Sequence, residues 1–342
     1  LNSGKPGAYS QESPCGDHIF GDVSMSGEKP KIISSHWLKA ANERHSSSIH
    51  GLLNGPLPRT LDELVDTYTT LGHAVSTAEA TLVCALDAVD PETQLSQAER
   101  APYRMVIHVA FQLLRESGAM FARLDGPFSQ LVHGGGGWPN RPIQRGDLTL
   151  YENTFKTRET LSPATRRAEY QVRVDTFLSG GGDFADITLL TPERLRSLKP
   201  WSHFDYVMLP NYELRVYPTA EADRDGKPKA GHSLLIGVGP TFEDRHILSA
   251  GELWILKDYT GELEALIIAN NSGHFKPSFK DLPNTIPGLE RLGVCRDQIV
   301  LFGGPNNIPA IFREITETHG VKGLHTRLPP GPAALIESWA ST

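Results

Sequence analysis

Cysteine is scarce in this 342-residue chain: Cys15, Cys84 and Cys295 are odd in number and far apart. That count excludes a disulfide framework, and no CxxC spacing offers a metal or redox pair. Reduced thiols are the reading that remains. No apolar run approaches the roughly 20 residues of a spanning helix. The opening stretch, LNSGKPGAYSQESPCGDHIF, lacks the basic and apolar segments of a cleavable signal peptide. Neither glycine run, HGGGGWPNRPIQRGD (133–147) or SGGGD (179–183), contains GxGxxG or GxxxxGK[ST], so the nucleotide-loop motifs are missing. Basic residues do not exceed acidic ones. A formal net charge of −7 argues against a duplex-binding surface, which needs clustered Lys and Arg, and no nucleic acid partner is expected.

What is present describes an ordinary globular protein, 39% hydrophobic and 21% charged. Residues 1–30 hold 13 Gly, Ser or Pro, and a flexible leader is expected over 1–55. A mainly helical region follows over 56–200, with target recognition as a possible duty. Leu61, Leu64, Val65, Tyr68, Leu71 and Val75 recur at helical spacing, and Thr60 with Glu63 fits a capping box. A second helix reads from about Pro102 to Leu124, and 133–147 reads as a long loop. Ser162-Pro163 and Thr191-Pro192 open two more helices.

From Trp201 the pattern changes to strands and turns: DYVMLP, YELRVYP, HSLLIGVG, RHILSAGELWILKD and GELEALIIAN. A helix–strand–helix piece, IPGLERLG, DQIVLFGG and NIPAIFREITETHG, closes the chain. The fold class expected is α+β: a helical N-terminal half and, over 201–342, an antiparallel β-rich core with flanking helices that would bind ligand or carry catalysis.

Two polar anomalies stand in the β region. Glu252 lies in HILSAGELWIL, a strand apolar on both faces, so its carboxylate is expected in a poorly hydrated place unless Gly251 bulges it into solvent. The second is NNSGHFKPSF (270–279), which closes the next strand with Asn271, Ser272 and His274. Pairing Lys257 with Glu262 across the turn sets Glu252 opposite Ile267. Glu252 and the Ser272 end would then be about 16 Å apart at ~3.3 Å per residue. A site holding both would have to accept something long, such as an extended dinucleotide.

These residues resemble a three-part block, HSS-F…AAGE…SGHY-P, of bacterial polymorphic toxins and effectors that is shared with plant and fungal calmodulin-binding IQ-motif proteins. His232-Ser233 matches the first part, Ala250-Gly251-Glu252 the second, and Ser272-Gly273-His274-Phe275 with Pro277 the third. The match spans about residues 203–280. Within that grouping the chain resembles the effector ADP-ribosyltransferases that modify host ubiquitin. In plant members Arg often stands where Glu252 stands, a departure that reads either as an enzyme branch with Glu or as a binding fold with a variable position. The resemblance implies a secreted effector acting in the host cytosol, with NAD as substrate and a host protein, ubiquitin among the candidates, as acceptor. It further implies Glu252 as the carboxylate that stabilises an oxocarbenium-like state. Trp254 would be an aromatic wall, and His232, Ser233, Asn271, Ser272 and His274 would contact ribose or phosphate. Arg215 is assigned to the pyrophosphate, because guanidinium suits phosphate geometry.

On the residues alone, Arg215 also reads as a salt-bridged side chain, Trp254 as core, and Ser272-Gly273-His274 as a turn. His232, His246 and His274 have no HExxH or Cys partner, so no metal is expected. Two other functions stay open: a non-catalytic partner-binding module, and a hydrolase or deamidase using Cys15 or Cys295 with a histidine.

Overall fold

The computed structural model describes residues 32–89, 95–134, 143–153, 161–199, 201–219, 227–237, 241–243, 245–258, 260–272, 274–275, 277–302 and 307–341. The expectation for 1–30, with Cys15, lies outside them, as do Gly273 and most of the glycine loop. Three helices lead the chain, α1 (Ser35–Asn54), α2 (Leu61–Val89) and α3 (Gln97–His133). A small hairpin of β1 (Ile143–Arg145) and β2 (Leu148–Leu150), α4 (Pro163–Ser179), β3 (Thr188–Leu189) and α5 (Pro192–Ser197) follow. Then come β4 (Trp201–Met208), β5 (Leu214–Pro218), α6 (Gly231–Ile236), β6 (Ser249–Lys257) and β7 (Leu263–Ala269). The C-terminal part adds α7 (Ile286–Arg291), β8 (Ile299–Phe302), α8 (Asn307–His319) and α9 (Pro332–Ala340).

The α+β class holds. Six strands form one sheet in the order β3-β5-β4-β6-β7-β8. It is antiparallel except at its far edge, where β8 runs parallel to β7, so the sheet is mixed rather than wholly antiparallel. No helix among the described residues is long and apolar enough to cross a membrane.

The local signals act as their chemistry requires. Glu63 N–H donates to Thr60 Oγ1 and Thr60 N–H to Glu63, closing the capping box on α2. Ser162 and Thr191 cap α4 and α5 ahead of their prolines. The second helix is longer than its apolar periodicity, because Ser96 and Glu99 form a capping box upstream of Pro102.

Three expectations are corrected. Residues 35–54, placed in a flexible leader, form α1. Its buried stripe is thin (Leu38, Ala41, Ile49), and tertiary contacts complete it. Buried Asn42 donates to Leu38 O and Thr81 Oγ1, and the Arg123 guanidinium donates to the last carbonyls, Leu52, Leu53 and Gly55. HSLLIGVG, read as a strand, holds α6 instead. A short apolar run is ambiguous by period, and Gly231 at φ 63° turns the chain into the helix. Residues 143–147, read as loop, belong to the β1–β2 hairpin, where Ile143 pairs with Leu150.

The helical half and the sheet share one apolar core. Leu71, Val75, Leu82 and Leu114 of α2 and α3 pack with Trp254, Leu256, Ile267, Val300 and Phe302, and with Ile308 and Ile315 of α8. On the opposite face Tyr206, Met208, Leu253, Ile255 and Ile268 meet Leu195, Leu282 and Leu289. A third cluster joins Tyr170, Val174 and Phe177 of α4 and Leu234 and Leu235 of α6 to Val207, Tyr217 and Ala250.

Candidate functional site

Strand register explains why polar side chains survive inside this sheet. Between β4 and β6, His203 pairs with Trp254, Asp205 with Glu252, and Val207 with Ala250, so these six side chains share one face. Trp254 belongs to the α2–α3 core, whereas Val207 and Ala250 belong to the α4–α6 core. The Asp205–Glu252 row falls between the two apolar clusters. Gly251 does not bulge Glu252 into solvent, since the pairing stays regular. Glu252 is 8% exposed, Asp205 7%, His232 8% and His274 6%, while Trp254, Leu253 and Ala250 are fully buried. The residual exposure within the sheet interior therefore collects on these polar groups.

The hairpin register differs from the expected one, and the difference decides the geometry. Asp258 N–H, not Lys257, meets Glu262 O at the turn, where the Asp258 carboxylate accepts from Thr260 and Glu262 N–H. Lys257 pairs with Leu263 and Leu256 with Ala265, so Glu264 is an extra residue in β7. These two changes move β7 by two residues. Ile267 stands opposite Trp254 rather than Glu252. By continuation of that register Ala269 is level with Glu252, and Ser272 lies about 10 Å along at ~3.3 Å per residue. Gly251 makes this approach possible. A Cβ there would overlap Ala269 O and stand 2.7 Å from Asn271 N.

The segment after β7 then folds back. Ser272 N–H donates to Asn270 O, buried Asn270 donates to Pro277 O at 2.8 Å, and Ser272 Oγ accepts from Phe275 N–H. Phe275 is fully buried in the α4–α6 core, which anchors the turn. His274 is thereby brought to α6, where a Cβ on Gly231 would lie 3.9 Å from its Cε1. The adjacent His232 places Nε2 3.0 Å from Gly251 O. His274 thus lies against the Gly231 turn, and the next residue along, His232, bonds the backbone beside Glu252, while the register brings Ser272 nearer to Glu252 than expected. Ser233 is buried, and its Oγ has no hydrogen-bond partner among the described residues. Asn271 is half-buried, with its backbone against Gly251.

Arg215 and Trp254 have other work. The Arg215 guanidinium donates to the carbonyls of Leu235, Ile236 and Gly237 and sits 3.7 Å from Glu213, so it caps the end of α6. Trp254 stacks on His203 with centroids 4.9 Å apart and planes 4° from parallel, sealed from solvent. Lys257 also caps a helix. Its Nζ donates to Arg196 O and Leu198 O at the end of α5, and burial lowers its pKa against the pull of Glu262. Cys84 is half-buried against the α2–α3 core and Cys295 is exposed before β8.

Sequence reasoning missed Asp205, His203 and Glu79. Asp205 is, like Glu252, a buried carboxylate in a strand, although Ser202 and His203 make β4 less apolar than β6. Its N–H donates to buried Thr219 Oγ1 at 2.8 Å. Glu79 of α2 is fully buried, and burial first, then the charge of Glu252, holds its pKa well above the ordinary carboxylate range. Its signal was also in the sequence: it is the lone Asp, Glu, Lys or Arg over residues 67–86. Among the described residues, no group of three or more His, Cys, Asp or Glu side chains is arranged to hold a metal ion. Comparison of the chain with family models, with curated proteins and with solved structures finds no match, so the functional reading rests on this polar row.

Proposed function

We propose that the chain is an NAD-dependent mono-ADP-ribosyltransferase that modifies a host protein, with Glu252 as the carboxylate at the reacting ribose. The observation that supports this reading is the position of Glu252: a barely exposed carboxylate in a strand interior, between two apolar cores, with the imidazole of His232 bonded to the backbone of the preceding Gly251. Cleavage of the nicotinamide–ribose bond leaves positive charge on the ribose carbon as the bonding pair departs with nicotinamide. A carboxylate held in a low-dielectric pocket stabilises that charge more than one in water would. The acceptor nucleophile then bonds to the same carbon and gives up its proton.

The residues suit the ribose end of NAD. Glu252 accepts from ribose hydroxyls, and the imidazoles of His232 and His274, with Asn271 and Ser233, offer donors and acceptors around it. Arg215 is not retained for the pyrophosphate, because its Nη1 donates to the carbonyls at the end of α6 and its Nη2 faces Glu213. Ubiquitin is one candidate acceptor. The reading is tested by incubating the chain with NAD and host proteins and measuring intact masses. A gain of one ADP-ribose that disappears in a folded Glu252→Gln variant is expected. Undiminished transfer by that variant removes Glu252 from the chemistry. NAD binding absent by calorimetry leaves the chain a partner-binding module.

A further inference from the structure

Transfer to an acceptor leaves one proton to be placed. The bonding pair of the nicotinamide–ribose bond departs with nicotinamide, and an oxygen or nitrogen of the acceptor bonds to the freed ribose carbon. The acceptor must then lose its hydrogen as a proton. Glu252 faces the charge on that carbon, so a second group has to take the proton. Glycoside chemistry divides these two duties between two carboxyl groups.

The β4–β6 register supplies the second one. Asp205 is the direct cross-strand partner of Glu252. Residues opposite one another in an antiparallel pair point to the same face, with Cβ atoms about 4.5–5.5 Å apart. Both side chains are more than nine-tenths buried. On the same face the flanking pairs are His203–Trp254, with rings stacked at 4.9 Å, and Val207–Ala250, so the two acids form a single polar row. Carboxyl groups set opposite each other inside a sheet are destabilising, where a pair of Val or Leu residues would add to the core. The backbone does not call for an acid at 205, since its N–H is met by Thr219 Oγ1 at 2.8 Å whatever the side chain. The helix that packs on β4, α6, also carries Ser233, whose buried Oγ has no hydrogen-bond partner among the described residues. Such a hydroxyl suits a polar ligand better than a core. The imidazoles are placed less well for the proton: His232 Nε2 lies 3.0 Å from Gly251 O, and His274 lies against the Gly231 turn.

We propose that Asp205 is the general base of the transfer. Its carboxylate takes the proton of the acceptor as the acceptor bonds to the ribose carbon, and later gives it to water. This assignment rests on the transferase reading, with Glu252 at the ribose.

The test follows nicotinamide release and product mass when the whole chain is incubated with NAD and host-cell protein, ubiquitin included. Asp205→Asn and Asp205→Ala, shown to be folded by their melting temperatures, should transfer ADP-ribose about 100-fold more slowly than the parent. Azide is an anion that brings no proton. It should raise nicotinamide release by Asp205→Ala about ten-fold or more, with ADP-ribosyl azide as the product. Glu252→Gln should not respond to it, because the charge on the ribose carbon is then unsupported. Transfer by Asp205→Asn within about three-fold of the parent overturns the proposal. So does a folded Asp205→Ala that stays inactive with azide, which is the result of a merely structural role. Asp205→Ser takes the same measurement if the alanine variant does not fold. A parent that consumes no NAD removes the transferase reading and this assignment with it. An active parent, an inactive Glu252→Gln and fully active Asp205 variants remove Asp205 alone.

Discussion

His232 places its Nε2 3.0 Å from the carbonyl oxygen of Gly251, the residue before Glu252. The bond ties α6 to an interior strand where that strand has stopped pairing with β7, since the β6–β7 ladder ends at Leu253 and Ile268. A carbonyl that β7 does not satisfy is met by an imidazole, and the same contact sets the backbone that carries Glu252.

Replacing His232 by Phe keeps the ring and removes this bond. The buried carbonyl is then left unsatisfied, at a cost of about 1–2 kcal/mol. Urea unfolding should show that loss. Transfer of labelled ADP-ribose should fall by about ten-fold, equivalent to ~1.4 kcal/mol. Unchanged stability and unchanged transfer would show that the bond is incidental.

Gly251→Ala should be the most damaging small substitution in the sheet. Its methyl group would overlap Ala269 O and press on Asn271 N, which are backbone atoms and cannot rotate away. Overpacking of this kind costs about 3 kcal/mol, read as a fall in melting temperature. A variant as stable as the parent would mean that the strands do not approach this closely in solution.

Arg215 separates a structural role from a ligand role. Arg215→Met should lose about 2 kcal/mol of stability, because three carbonyls at the end of α6 lose a charged donor. The KM for NAD should stay as it was in the folded fraction. A variant with full stability and a KM raised more than about ten-fold would return Arg215 to the pyrophosphate.

The pH dependence of stability follows from Glu79, whose pKa is raised in the folded state by burial and by Glu252. A raised folded value means that the folded protein holds a proton that the unfolded chain releases. Its stabilising contribution is complete below the ordinary glutamate range, near the reference value of 4.5, and is lost as pH rises toward the folded value. Glu79→Gln has no such proton. Its stability relative to the parent should therefore climb with pH above that range, by about 1.4 kcal/mol per unit until Glu79 itself ionises. Denaturant midpoints at several pH values measure this, and parallel curves for parent and variant would refute it.

Much of the frame was legible. Thr60 with Glu63, Ser162-Pro163 and Thr191-Pro192 each state a helix start through chemistry confined to four residues. Glu252 announced itself because an ionisable side chain interrupts an apolar strand. Glu79 and, less sharply, Asp205 carry the same signal, and the helical region offered no reason to look for a partner of the sheet. Arg215 and Trp254 showed types that suit a nucleotide, yet their bonds go to α6 and His203. Nothing about those partners is local in sequence.

By itself, then, the sequence determined the α+β class, most helix starts and the strand that holds a buried carboxylate, because periodicity and capping act over a few residues. Tertiary structure decided the rest. The extra Glu264 and the wider turn at Asp258 move β7 by two residues, and register depends on such single residues while hydrophobic pattern hardly registers them. That shift, the fold-back of His274 and the helical reading of 231–236 bring α6 to the strand that carries Glu252 and the post-β7 turn to α6. The helical half joins the sheet because two layers pack on one core, and that burial, with the charge of Glu252, raises the pKa of Glu79 on α2.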